Sequence, residues 1–260
     1  MNEPLISVVL IALSRSHLLE QTLKSLDCQT DKDFEVVILD GEAKQATARY
    51  VEEHPRLSIR VQPARIAPLG EVMNQGVLMA HGTYLHFAFA GDRYLSPNSI
   101  AQLRSLLSLC PDLAFAATLD REGGGYAVSA TLTSHLLQQG KSPTLARSCW
   151  FRKEEITDLG GFDPTASFRP TYDFLCRLLK KGTPHIVSTS HVLIDLPLLP
   201  IDRRRAWGYA KETFFFIQKH FGFKSAVRFL LVNHSLHLAR SAWRALQRSF
   251  IAEAKTSTFF

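Results

Sequence analysis

No stretch of this chain strings together the roughly 18 apolar residues that a membrane-spanning helix needs. The apolar run Leu5–Leu13 follows Glu3 rather than a basic cluster, so it does not read as a secretory signal. Cysteine is scarce: Cys28, Cys110, Cys149 and Cys176 stand far apart with no CxxC pair. That spacing argues against a zinc site or a disulfide framework, and the mostly apolar surroundings imply reduced core thiols of a cytosolic protein. Neither Gly-x-Ser-x-Gly nor GxGxxG occurs, which removes the hydrolase elbow and the dinucleotide fingerprint. No two histidines have i,i+4 spacing with an acidic partner, so His81 and His86 do not read as zinc ligands. Gly123-Gly124-Gly125 does not lie between a strand and a helix start, and Asp120–Tyr126 is expected to be a mobile loop rather than a phosphate cradle.

What is present suits an ordinary folded domain. Of 260 residues, 46% are hydrophobic and 21% charged, enough for one globular domain with an ample core, or one domain plus an extension. The net charge of +6 is unevenly placed, because residues 201–260 hold 11 of the 30 Lys+Arg and only 3 of the 24 Asp+Glu. A nucleic-acid enzyme more often carries its basic surface beside the cleft. The asymmetry points instead to a domain over 1–199 and a basic helical extension over 200–260 that meets an anionic surface.

Strand and helix signals alternate along the chain. Leu5–Ala12 and Phe34–Asp40 are β-branched runs, separated by a helical pattern over Ser16–Cys28. Lys44–Glu53 reads as helix, Leu57–Gln62 as an alternating strand, Gly70–Ala80 as helix and Tyr84–Phe89 as a buried strand. This grammar predicts an α/β fold with a mostly parallel sheet covered by helices on both faces. Further on come a helix over Asn98–Cys110, a strand over Leu113–Leu119, and a hairpin or short helix around Ser134–Gln139. Arg147–Phe151 reads as strand, Glu154–Leu159 and Thr171–Lys181 as helices, and His185–Asp195 as strand. Two long helical patterns follow, Trp207–Phe221 and Lys224–Phe250.

The stretch Gly82–Asn98 stands out. Its aromatic run stops at Gly91-Asp92, which delivers a carboxylate to the end of a core strand, where ligands bind in open α/β sheets. The same dipeptide also suits a plain turn ahead of the next helix.

Several segments together carry a resemblance: PLISVVLIALSR, FEVVILDGE, MNQGVLMAHGTYLHFAFAGDRYL, GGFD, and TYDFLCRLLKKG. Over about residues 4–195 the chain resembles the inverting family 2 glycosyltransferases of the GT-A fold, in particular bacterial members that build surface polysaccharide or lipopolysaccharide. The resemblance implies transfer of a sugar from a nucleotide diphosphate sugar to a glycan or lipid-linked acceptor, with Mg²⁺ or Mn²⁺ bridging the donor phosphates to an acidic motif. Asp92 matches the metal-binding acid, while the preceding acidic positions are Phe89 and Gly91. Asp40 matches the acid that holds the base, and Ala12, Arg15, Asn74 and Gly91 fall at nucleotide-site positions, with Ala12 and Leu13 replacing Thr and Tyr. The position of the general base is Thr171, which cannot accept a proton near neutral pH; Asp173 and Asp163 are the substitutes expected to act. The losses at Leu13, Phe89 and Thr171 motivate a rival, a degenerate member that binds nucleotide or a partner without transfer.

Overall fold

The β-branched and aromatic runs become the strands of one twisted sheet, and the amphipathic segments cover its two faces. The computed structural model describes residues 3–13, 18–41, 45–120, 126–128, 130–196 and 203–231. In chain order the elements are β1 (Ile6–Ala12), α1 (Leu19–Asp27), β2 (Phe34–Asp40), α2 (Gln45–Glu52), β3 (Ser58–Pro63), α3 (Leu69–Met79), β4 (Tyr84–Phe89), β5 (Arg93–Tyr94) and α4 (Ser99–Leu107). Then follow β6 (Leu113–Asp120), β7 (Tyr126–Val128), α5 (Ser134–Gln138), β8 (Cys149–Arg152), α6 (Lys153–Asp158), α7 (Pro170–Lys181), β9 (Ile186–Val192), β10 (Ile194–Asp195) and α8 (Arg203–Phe221).

The main sheet runs β3-β2-β1-β4-β8-β6-β7, with β9 beside β6, while β5 and β10 form a small separate ribbon. β1 lies parallel to β2 and to β4, and β2 parallel to β3. β8 is antiparallel to both β4 and β6. Every residue of β1 and β2 is buried, as expected of continuous apolar runs covered on both faces. Alternate residues serve different layers. Val9, Ile11, Val37 and Leu39 join α3, α7 and α8 in one core, whereas Val8, Leu10, Val36 and Ile38 join α1 and α4 in the other. β2 and β4 flank β1 on opposite sides, so the strand order turns there and opens a crevice at the carboxyl ends of β1 and β4.

Some elements differ from the sequence reading. Leu57–Gln62 becomes the edge strand β3, largely exposed rather than alternating. The ambiguous segment near Ser134 is helical, its start capped by Thr133, whose Oγ1 accepts from the Leu136 N–H. The strand expected from Arg147 begins at Cys149, because Ala146–Ser148 forms a 3₁₀ turn. His185–Asp195 breaks into β9 and β10, which pair with different partners. Most of the loop expected at Asp120–Tyr126 and most of the helix expected at Lys224–Phe250 lie outside the described residues, although 223–231 is helical. Cys149 and Cys176 are buried core thiols, but Cys28 and Cys110 are exposed, because they sit where α1 and α4 end. Among the described residues no helix is long and apolar enough to cross a membrane. α8 does not stand apart: its Phe216 and Ile217 are buried in the core that also holds Phe174 of α7.

Candidate functional site

Ala12 and Asp40 face each other at the ends of β1 and β2, where the parallel register terminates. The Gly41 N–H donates to the Ala12 carbonyl (3.2 Å) and the Ala64 N–H to the Asp40 carbonyl (2.8 Å), which ties the three strand exits together. A side chain at Gly41 would lie 2.7 Å from the Leu13 Cα, so only glycine lets the two exits approach this closely. Asp40 is buried at this edge, 3% exposed. Arg15 lies outside the described residues.

Asp92 closes the turn that ends β4. Its N–H donates to the Phe89 carbonyl (3.0 Å), and its Oδ2 accepts from the Phe89 N–H (2.8 Å). Gly91 adopts φ 104°, a left-handed conformation this turn requires, and donates its N–H to Thr22 Oγ1 at 2.9 Å. The second carboxylate oxygen of Asp92 pairs with Arg147 Nη1 at 2.5 Å. The side chain is fully buried. Burial pushes the carboxyl up to about 6 against the pull of the Arg147 charge. Of the two readings the dipeptide allows, the structure shows the turn geometry, with the Asp92 carboxylate buried and paired with Arg147.

Arg147 reaches this place because β8 is antiparallel to β4, which brings the start of β8 to the edge where β4 ends. A buried relay holds its backbone. The Arg147 carbonyl can only accept, so His86 Nε2 carries the hydrogen (2.8 Å), and His86 Nδ1 accepts from the Tyr94 hydroxyl (2.9 Å). Burial lowers His86 to about 4, which keeps the ring neutral and preserves this polarity. The guanidinium also lies over the Phe89 ring, 5.6 Å from its centroid.

Asn74 ties α3 to a turn 88 residues further along the chain. Its Nδ2 donates to the Phe162 carbonyl and its Oδ1 accepts from the Phe162 N–H, both at 2.8 Å. The amide clamps α3 to the Gly160-Gly161-Phe162 turn.

The acceptor-side carboxylates are also committed. Asp173 is buried on α7, its Oδ2 accepting from Arg177 Nε (2.8 Å) while Oδ1 meets His220 Nε2 (2.7 Å) and Lys219 Nζ (3.1 Å) of α8. Burial alone would raise its carboxyl, but the His220 hydrogen bond and the Arg177 charge pull it down to about 2. A carboxylate so stabilised is a weak base. Asp163 Oδ1 accepts from the Thr165 N–H (3.0 Å) and hydroxyl (2.7 Å), and Oδ2 shares Lys219 at 3.3 Å. Burial opposes these contacts, yet they hold its carboxyl below the usual range. Glu212 of α8 caps the start of α7: its carboxylate accepts from the N–H groups of Ser167 (2.7 Å), Phe168 (2.9 Å) and Arg169 (2.8 Å).

The fit of a divalent cation follows from this donor set. Mg²⁺ and Mn²⁺ want several oxygen ligands. The acidic motif supplies one carboxylate, with both oxygens engaged and an arginine already neutralising it. Among the described residues no group of three or more His, Cys, Asp or Glu could hold a metal. The residues present do not fit the expected ion at Asp92.

Arg147, Lys219, His220 and Glu212 were not found by sequence reasoning. Arg147 is 55 residues from Asp92, and Lys219 and His220 are 46 and 47 from Asp173, so no local pattern links them.

Comparison with known proteins places the chain. A model of glycosyl transferase family 2 matches residues 7–156. A PGL/p-HBAD biosynthesis glycosyltransferase of Mycobacterium bovis (strain BCG / Pasteur 1173P2) is 28% identical over 142 residues, covering 51% of this chain and 56% of that protein. The chain thus spans about half the length of the curated relatives it matches. Among solved structures, the mannosyltransferase PcManGT from Pyrobaculum calidifontis, in complex with GDP-Man and Mn²⁺, is similar with TM-score 0.64 and 16% identity, covering 95% of this chain and 81% of that one. TarS 1-349 of S. aureus, in complex with UDP-GlcNAc, is similar with TM-score 0.64 and 16% identity, over 86% of this chain and 71% of that one. The sheet order and these likenesses give the GT-A fold. With more than half its length matched, the chain belongs to glycosyl transferase family 2.

Proposed function

We propose that this protein takes a nucleotide diphosphate sugar into the crevice at the carboxyl ends of β1, β2 and β4 and transfers the sugar, with inversion, to a glycan or lipid-linked acceptor. The observation that carries the reading is the convergence at one sheet edge of Ala12, buried Asp40, and the Asp92–Arg147 pair, at the point where the strand order turns. GDP-Man and UDP-GlcNAc in the similar structures support a nucleotide sugar as donor. Asp40 supplies an acceptor for the N–H groups of a base, and Arg147 faces the diphosphate. In transfer the acceptor hydroxyl oxygen bonds to the anomeric carbon as the bond to the diphosphate breaks, the electron pair leaves on the phosphate oxygen, and the hydroxyl proton passes to a carboxylate, for which Asp173 and Asp163 are the candidates.

Thr171 and the sequestered Asp173 favour a second reading, nucleotide binding without transfer. A screen of nucleotide sugars, read by thermal stabilisation and by release of nucleoside diphosphate, tests both. Stabilisation with release supports transfer, stabilisation without release supports the second reading, and neither effect with any donor removes both.

The basic extension is assigned to an anionic membrane surface. Trp207, Phe215, Phe223 and Leu231 are exposed along α8 and residues 223–231, interleaved with Lys211, Lys224 and Arg228. Flotation with phosphatidylserine vesicles at low and high salt tests it: binding that fades as salt rises is expected, and no binding at low salt overturns it.

A further inference from the structure

The disagreement between this site and a divalent cation has a specific form. The atom that meets Asp92 Oδ1 is Arg147 Nη1, a permanent cation delivered by the chain itself. Three features make the pair a built arrangement. The carboxylate is fully buried, so its counter-charge has to come from within the protein. The 3₁₀ turn Ala146–Ser148 that carries the arginine is pinned through its Arg147 carbonyl by His86, which is itself oriented by Tyr94. The guanidinium plane is supported by Phe89, the residue that stands where the resemblance places an acid. Asp92 uses one guanidinium nitrogen, and the Arg147 side chain remains 19% exposed. Phe89, beneath it, is partly exposed as well. An arginine fork of this kind suits phosphate oxygens, because it offers several N–H donors in one plane together with a fixed charge.

We propose that Arg147 takes the place of the divalent cation, binding the diphosphate of the donor directly, so that nucleoside diphosphate binds without metal. The inference rests on the donor reading above. Loss of an acid at Phe89 and gain of a pinned arginine are then one change: a metal needs several carboxylates, whereas a guanidinium needs one to orient it and an apolar face to lie on. Asp92 holds the guanidinium before the diphosphate binds, and its charge competes with the diphosphate for it.

Calorimetric titration of UDP, GDP, CDP and ADP into the full chain, in EDTA and in Mn²⁺, tests this. At least one nucleotide is expected to bind in EDTA, with an affinity that Mn²⁺ changes by less than about threefold, well short of the loss expected on removing a charged partner. Arg147→Met should weaken that binding by roughly 10- to 100-fold, the loss expected of charge-assisted hydrogen bonds. Asp92→Asn keeps the volume and a carbonyl acceptor for the Phe89 N–H, and leaves the arginine uncompensated; it should tighten binding, by roughly tenfold. A metal site predicts the opposite sign for that variant. Binding that requires Mn²⁺ and is abolished in Asp92→Asn overturns the inference, even if Arg147→Met fails to fold. No binding of any of the four nucleotides, with or without Mn²⁺, overturns the donor reading itself.

Discussion

Replacing Asp173 by asparagine removes the charge that Arg177, Lys219 and His220 share, and the structure sets the size of the effect. The carboxyl moves from an ordinary 3.8 to about 2. At about 1.36 kcal/mol per pKa unit, its ionised form adds about 2 kcal/mol to stability at neutral pH. Arg177 and His220 are mostly shielded from water (22% and 5% exposed), so losing their partner costs more than breaking a surface pair; Lys219, at 41%, adds little. For a chain of this size that is a fall in melting temperature of about 4–8 °C. The pH dependence has a definite sign. Because the folded value lies below the unfolded one, the stabilisation is complete above about pH 4 and is lost as pH falls through about 2. Circular-dichroism melts of wild type and Asp173→Asn should therefore differ equally at pH 7 and pH 5 and converge near pH 2. A variant that melts with wild type at pH 7 refutes this account. If it also loses 10²–10⁴-fold in turnover, Asp173 is the base after all.

Other substitutions probe the remaining contacts. A Cβ at Gly70 would lie 1.9 Å from the Asp163 carbonyl, so Gly70→Ala should force α3 from the Asp163 turn and lower stability by about 2 kcal/mol or more, read by urea unfolding. Glu212→Ala strands the N–H groups of Ser167, Phe168 and Arg169, with an expected loss of about 1–3 kcal/mol and faster hydrogen exchange at the first turn of α7. Asp92 has its folded value raised to about 6, so its contribution is fully present below about pH 4 and lost as pH rises through 6; melts of Asp92→Asn should gain on wild type between pH 4 and 8.

Periodicity sufficed wherever a segment's environment is set by its neighbours in sequence. Phe34–Asp40 and Tyr84–Phe89 are strands over those very residues, and β1 and α7 lie within one residue of their expected bounds, because an apolar run covered on both faces and a stripe repeating every 3.6 residues each have one way to be buried. The motif order was also enough to reach the family. Boundaries failed where pairing decides: Arg147 is drawn into a 3₁₀ turn, and β9 ends where β10 finds β5. Side-chain roles were less legible still. Asp92 reads equally as ligand or turn residue until Arg147 arrives from the antiparallel strand beside it. Nothing near Asn74 in sequence announces that Phe162, 88 residues on, bonds both ends of its amide. Nor does anything near Asp173 in sequence announce that α8 places Lys219 and His220 against it. The sequence by itself determined the sheet and its covered faces, because these depend on local pattern and burial. Only the tertiary structure decided which carboxylates are already paired, because a charge is silenced by partners that meet it in space.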